Sequence, residues 1–158
     1  MTVEELLISV RRRIRDEHKI EYQDSELIDY INDAINLVSN TAIASKDPLM
    51  IKEITVTGSI GVPEFFVKLA GVYPVSIFNG IINLLNPAET IVCKYYAAKN
   101  NIASLSDEIP FDGANCSLVG QLTAIYALNR NQYDVSQDER LTNTLSQAIV
   151  LGKTKVRE

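Results

Sequence analysis

Apolar and polar positions change rhythm twice along this chain. Val3, Leu6, Leu7, Val10 and Ile14 recur at helical spacing and predict a first helix running to about His18. It opens on Thr2-Val3-Glu4-Glu5, a capping box in which Thr2 is the N-cap and Glu5 reaches back to it. The connector "KIEYQ" leads to Asp24, the expected N-cap of a second helix. Leu27, Ile31, Ile35, Val38 and Ala42 share one stripe of that helix, and Asp29, Asn32, Asp33 and Asn36 share the other side. The short link predicts that the two helices form an antiparallel pair.

After Pro48 the rhythm becomes that of strands. "IKEITVT" alternates, with Ile54 and Val56 on one face. "GSIGVPEFF" is a turn-rich link. Asn79-Gly80 between two apolar runs predicts a two-residue hairpin of type I′. Pro74 inside the first run suggests an edge or a bulge. "NPAET" turns the chain into a last strand, "TIVCKYYA", so about four short strands in a meander are expected. A polar loop with an Ile109-Pro110-Phe111 anchor follows. A third helix, about Cys116 to Arg130, is apolar on most faces and is expected at the centre of a bundle. Ser136-Gln137-Asp138-Glu139 is a second capping box and starts a fourth helix with Leu141, Leu145, Ala148 and Ile149.

The fold class expected is α+β, mainly α. Its core is a four-helix bundle, two helices N-terminal and two C-terminal, with an inserted small antiparallel β meander. Residues 1–150 form one domain with the β insertion at about 50–98, and 151–158 form a tail that is flexible when free.

The composition suits a globular core: 158 residues, 46% hydrophobic and 22% charged. A net charge of −5 argues against non-specific attraction to nucleic acid or anionic lipid. The opening "MTVEELL" is no signal peptide, and the longest apolar stretch, "LVGQLTAIYAL", is too short to span a bilayer. Cys93 and Cys116 are expected as buried, reduced thiols.

Candidate chemistry is sparse. His18 has no partner motif, and no nucleophile elbow, phosphate loop or zinc motif is present. Acid pairs such as Asp107-Glu108 and Asp138-Glu139 are adjacent in sequence rather than opposed across a cleft. No enzyme activity, metal or cofactor is therefore expected. Gly58-Ser59-Ile60-Gly61 follows a strand and contains no Lys or Arg, so it is a turn rather than a nucleic-acid clamp. Of Tyr95 and Tyr96, one ring should face the core and the other should lie outside or under the long loop.

Arg11, Arg12, Arg13 and Arg15 form a basic run on helix one. A solvated face paired with Asp16, Glu17 and Glu21 accounts for it, and so does a contact face for an acidic partner. A helix-turn-helix regulator is the less favoured alternative, because Glu26, Asp29 and Asp33 on the next helix repel phosphate.

The order of parts resembles a known family. "D-x-E-L-x-x-Y-I-N-x-A" spans Asp24 to Ala34 and precedes the β section, which ends in Tyr95-Tyr96-Ala97. Asp107 to Pro110 supplies an acidic pair followed by Ile-Pro, and two helices close the chain. This is similar to the head-to-tail adaptor (connector) proteins of tailed bacteriophages. The resemblance implies a non-catalytic virion protein of the neck, made in the host cytoplasm. It implies a ring that extends or seals the DNA channel, a dodecamer on the portal that can be a monomer when free. Its partners would be the portal protein, copies of itself and a tail or nozzle protein, with no membrane. A dodecamer would carry about −60, so DNA would pass without sequence-specific binding. A tail-completion or neck protein of the same region is the alternative. Arg11, Arg12, Arg13 and Arg15 are candidate partner contacts. So are Lys153, Lys155 and Arg157, because the family commonly grips the portal with a C-terminal extension.

Overall fold

The computed structural model describes residues 1–130 and 143–149. Helix α1 covers Val3–Ile14, α2 Asp24–Ala44 and α3 Gly113–Leu128, and residues 143–149 are also helical. Six strands lie between α2 and α3: β1 Ile51–Thr57, β2 Ser59–Gly61, β3 Phe66–Leu69, β4 Val75–Phe78, β5 Ile81–Leu84 and β6 Thr90–Ala97. The described residues divide into a helical unit, 1–45 with those from Lys99 onward, and a β unit, Lys46–Ala98.

In the helical unit, the capping box at Thr2 forms in both directions. Glu5 N donates to Thr2 Oγ1 at 3.2 Å, and Thr2 N donates to Glu5 Oε2 at 2.8 Å. Two further amides of the first turn are satisfied from the 99–112 loop. Val3 N donates to Asp107 O at 2.9 Å and Glu4 N to Leu105 O at 3.0 Å. Helix α1 ends at Ile14, four residues short of His18, because Arg15 adopts a left-handed conformation (φ 57°). Helix α2 buries the whole expected stripe: Leu27, Ile31, Ile35, Val38 and Ala42. Gln23, not Asp24, is its N-cap and makes no side-chain cap bond. Asp24 opens the helix instead, with its carboxylate turned toward Arg11.

The expected four-helix bundle with an inserted meander does not form. Helices α1 and α2 each pack against α3, and they do not pair along one another as the short link suggested. Helix α3 can serve both because it buries residues on several sides, among them Cys116, Val119, Leu122, Thr123, Ala124 and Ala127. Gly120 lets α1 approach: a Cβ there would lie 2.9 Å from Leu6 Cδ1. In the helical stretch 143–149, Leu145 and Ile149 are buried. The capping box expected at 136–139 lies outside the described residues.

The loop between the units returns to the helices through its backbone. Asn32 Nδ2 donates to Ile102 O at 2.9 Å, and Ile102 N donates to Asn32 Oδ1 at 2.8 Å, so one amide side chain pairs like a strand. Ser39 Oγ accepts from Lys99 N. Ile109 and Phe111 are buried as the expected anchor, and Ile102 is buried with them. Asp107 accepts from Ala103 N, Ser104 N and Ser104 Oγ, and these bonds hold its carboxyl below the usual carboxylate range.

The β unit holds two three-stranded antiparallel sheets, ordered β1-β6-β3 and β2-β5-β4, in place of one four-stranded meander. The extra strands, β2 and β3, come from the segment expected to be only a turn-rich link. Each is four residues or fewer, too short to show alternation. Val56 and Cys93 from the first sheet meet Ile82 and Leu84 from the second in one buried cluster, flanked by Ile54, Ile60, Val75 and Ile91. Asn79 (φ 50°) and Gly80 (φ 72°) make the expected type I′ turn between β4 and β5. Pro74 lies just before β4. Tyr95 and Tyr96 are both buried, so neither ring projects outside. Phe66 lies against Tyr95 with ring centroids 5.6 Å apart, and Lys68 sits over Tyr96.

Candidate partner-binding surface

The basic run on α1 splits into one internal arginine and three external ones. Arg11 follows Leu7 by four residues and precedes Ile14 by three, so it falls on the buried stripe and is 4% exposed. A buried guanidinium is costly unless paired. Arg11 Nη1 lies 2.6 Å from Asp16 Oδ2 and Nη2 lies 2.6 Å from Asp24 Oδ1, and Nη1 also donates to Tyr22 O at 3.1 Å. Its Nε has no hydrogen-bond partner among the described residues.

Asp16 does two jobs. Its Oδ1 accepts from Ile20 N (2.8 Å) and Glu21 N (3.0 Å), and its Oδ2 from Tyr22 N (3.2 Å). These bonds curl the connector around the carboxylate and stop α1 where sequence periodicity would continue it. Burial pushes the Asp16 pKa up, but the amides of Glu21, Ile20 and Tyr22, together with Arg11, outweigh it and hold the carboxyl below its ordinary range. The hydrogen bond from Arg11 and the charge of Lys19 hold Asp24 low as well, against partial burial.

The far side of the connector is tied to α3. Tyr22 Oη donates to Ala127 O at 2.8 Å. The Arg130 guanidinium lies 4.2 Å from the Tyr22 ring centroid, and its Nη1 donates to Glu26 Oε1 at 3.1 Å and to Glu21 O at 3.3 Å. The connector that carries Arg15 is thus held at both ends.

Arg12, Arg13 and Arg15 are exposed, and their side chains make no ion pair among the described residues. Arg13 also lines a groove of about 290 Å³ between α1 and the start of α3, with Leu6, Ser9, Phe111, Ser117 and Gly120. Cys116 Sγ lies 3.7 Å from Met1 Sδ on the groove wall, and burial raises its pKa. Lys153, Lys155 and Arg157 lie outside the described residues. Among the described residues no group of three His, Cys, Asp or Glu side chains is placed to hold a metal ion. Among the same residues no helix is long and apolar enough to cross a membrane.

One surface escaped the sequence reading. Phe78 is 73% exposed and Leu85 69%, and Ile77 and Ile81 beside them are also exposed. Charged residues on the same hairpin would have been its usual companions, and there are none. No family model matches the chain, and no curated protein matches it.

Proposed function

We propose that this chain is a structural ring component of the bacteriophage neck, docking on the portal and continuing the DNA channel toward the tail. The observation that carries the reading is the division of labour among the four arginines. Arg11 is neutralised inside by Asp16 and Asp24, and this fixes the turn on which Arg12, Arg13 and Arg15 stand without an ion pair among the described residues. A cationic surface on a rigid support binds carboxylates with little ordering cost, and arginine forks suit them bidentately. The partner proposed for it is acidic portal surface.

Three of the motif residues that resemble the adaptor family have framework duties here. Asp24 holds Arg11, Asn32 holds the loop at Ile102, and Asp107 caps the turn at 103–104. That is the use expected of a protein whose work is fitting against other proteins. Lys153, Lys155 and Arg157 are proposed as a second portal contact.

Electron microscopy of the chain mixed with its cognate portal tests the reading. Rings stacked on the portal are expected. Charge reversal of Arg12, Arg13 and Arg15 to Glu should abolish them. Portal binding that survives the reversal rejects the arginine surface. A salt-sensitive DNA gel shift without any portal binding rejects the neck reading in favour of nucleic-acid binding.

A further inference from the structure

Residues 69–88 run for twenty positions without Asp, Glu, Lys, Arg or His, in a chain whose charged fraction is 22%. About four charges would be expected in such a length. The run forms β4, the type I′ turn and β5, and it exposes Val72, Ile77, Phe78, Ile81 and Leu85. Exposed apolar surface of this kind marks a contact.

The edges of the two sheets differ in the same sense. In the first sheet, edge strand β1 carries Lys52 and Glu53, and β3 carries Lys68 and a register shift between Phe66 and Lys68. Charges and bulges of this kind block pairing with another chain. In the second sheet, edge strands β2 (Ser59-Ile60-Gly61) and β4 (Val75-Ser76-Ile77-Phe78) have neither.

Backbone directions show which groups those edges offer. Leu84 N donates to Gly58 O and Val62 N to Gly80 O, so Ser59 and Gly61 turn their N–H and C=O away from β5. On the other side Leu85 N donates to Pro74 O, and the two-residue turn pairs Phe78 with Ile81. The N–H and C=O of Ile77 therefore point outward. Lipid cannot satisfy such groups, whereas an extended strand can. The outer positions Ser59 and Asn83 are hydrogen-bonded to each other, so no charge has to be desolvated when two such edges meet.

We infer that β2 of one copy pairs with β4 of the next, joining their second sheets edge to edge. The choice of a second copy as occupant rests on the ring reading above. Among the described residues, one bare edge lies on each side of the same sheet. A head-to-tail contact uses both, and closure into a ring leaves none open, whereas a symmetric β4–β4 dimer leaves β2 bare.

Single lysines test the contact in the full chain. Ser76 is exposed, and a Cβ added at Gly61 meets nothing within 4 Å, so S76K and G61K should fold as the wild type does. Sedimentation across a concentration series should show association of the wild type and monomers of either variant. An equimolar mixture of the two should stop at a dimer, since only one intact contact remains. The double variant S76E/G61K, with opposite charges diagonally across the contact, should recover association.

A G61K chain that dimerises alone assigns a β4–β4 contact and overturns the proposal. Wild-type-like association of both lysine variants overturns it while leaving the ring reading intact. A wild type that stays monomeric throughout also overturns it, and the portal micrographs then decide the ring reading separately. Flotation with phosphatidylcholine vesicles in place of self-association assigns the hairpin to lipid and likewise overturns it.

Discussion

Arg11 Nη2 lies 2.6 Å from Asp24 Oδ1, so the last turn of α1 and the first turn of α2 are joined by a charge pair inside the helical unit. The same guanidinium holds Asp16 through its other nitrogen. Removing it strands two carboxylates. Arg11→Met should cost about 3–5 kcal/mol, the range for breaking a buried pair from one side. Urea unfolding followed by helical circular dichroism measures it, and a loss below 1 kcal/mol would show that water replaces the guanidinium.

Acid should loosen the helical unit. Asp16, Asp24 and Asp107 all have folded pKa values below their ordinary range. The unfolded value is about 3.9. A depressed folded pKa stabilises the folded state above that value, and the contribution is lost as pH falls through the folded pKa. The urea midpoint should hold between about pH 7 and pH 5 and fall steeply below about pH 4. Asp16→Asn and Asp24→Asn should each flatten that fall while lowering the midpoint at neutral pH.

Gly120→Ala offers a test of how tightly α1 and α3 meet. The added Cβ would sit 2.9 Å from a terminal methyl of Leu6, which must move. Leu6 lines the groove, so space for the methyl is at hand. Alanine also gains about 1 kcal/mol of helix propensity over glycine. The substitution should therefore change stability by less than about 1 kcal/mol, while Gly120→Val, branched at Cβ, should destabilise clearly. Thermal melts of both variants decide it.

Gly80→Ala should weaken the β4–β5 hairpin by about 1–2 kcal/mol, because φ at this position is 72° and a side chain is strained there. Hydrogen exchange of the β5 amides is the direct readout. Asn79→Ala should cost in the same sense, since its φ is 50°.

Both thiols should be slow to modify in the native chain. Cys93 is fully buried and Cys116 nearly so, and burial raises both pKa values. A thiol reagent should count two fast cysteines in denaturant and none in buffer. A single fast cysteine in buffer would locate an opening at the groove beside Met1.

Local signals in the sequence were sufficient where the structure is local. The Thr2 capping box, the Leu27-to-Ala42 stripe and the Asn79-Gly80 turn each depend on residues a few positions apart. Elsewhere distant partners decide. Periodicity carries α1 past Ile14, but Asp16 takes the amides of Ile20, Glu21 and Tyr22 and turns the chain. Arg11 looked like its solvated neighbours, although its place between Leu7 and Ile14 on the stripe, with aspartates at 16 and 24, was a visible hint of burial. Strands β2 and β3 are recognisable only from the register of β5 and β6. The sharing of α3 by α1 and α2 is a matter of tertiary packing, which no short window contains.

The amides of Val3 and Glu4 are satisfied by carbonyls about a hundred residues downstream, at Asp107 and Leu105. On a ribosome, the first turn of α1 must therefore wait, uncapped on that side, until the segment at Leu105 to Asp107 has been synthesised and has folded back. Refolding of the helical unit should accordingly be limited by closure of that long loop rather than by formation of α1 itself.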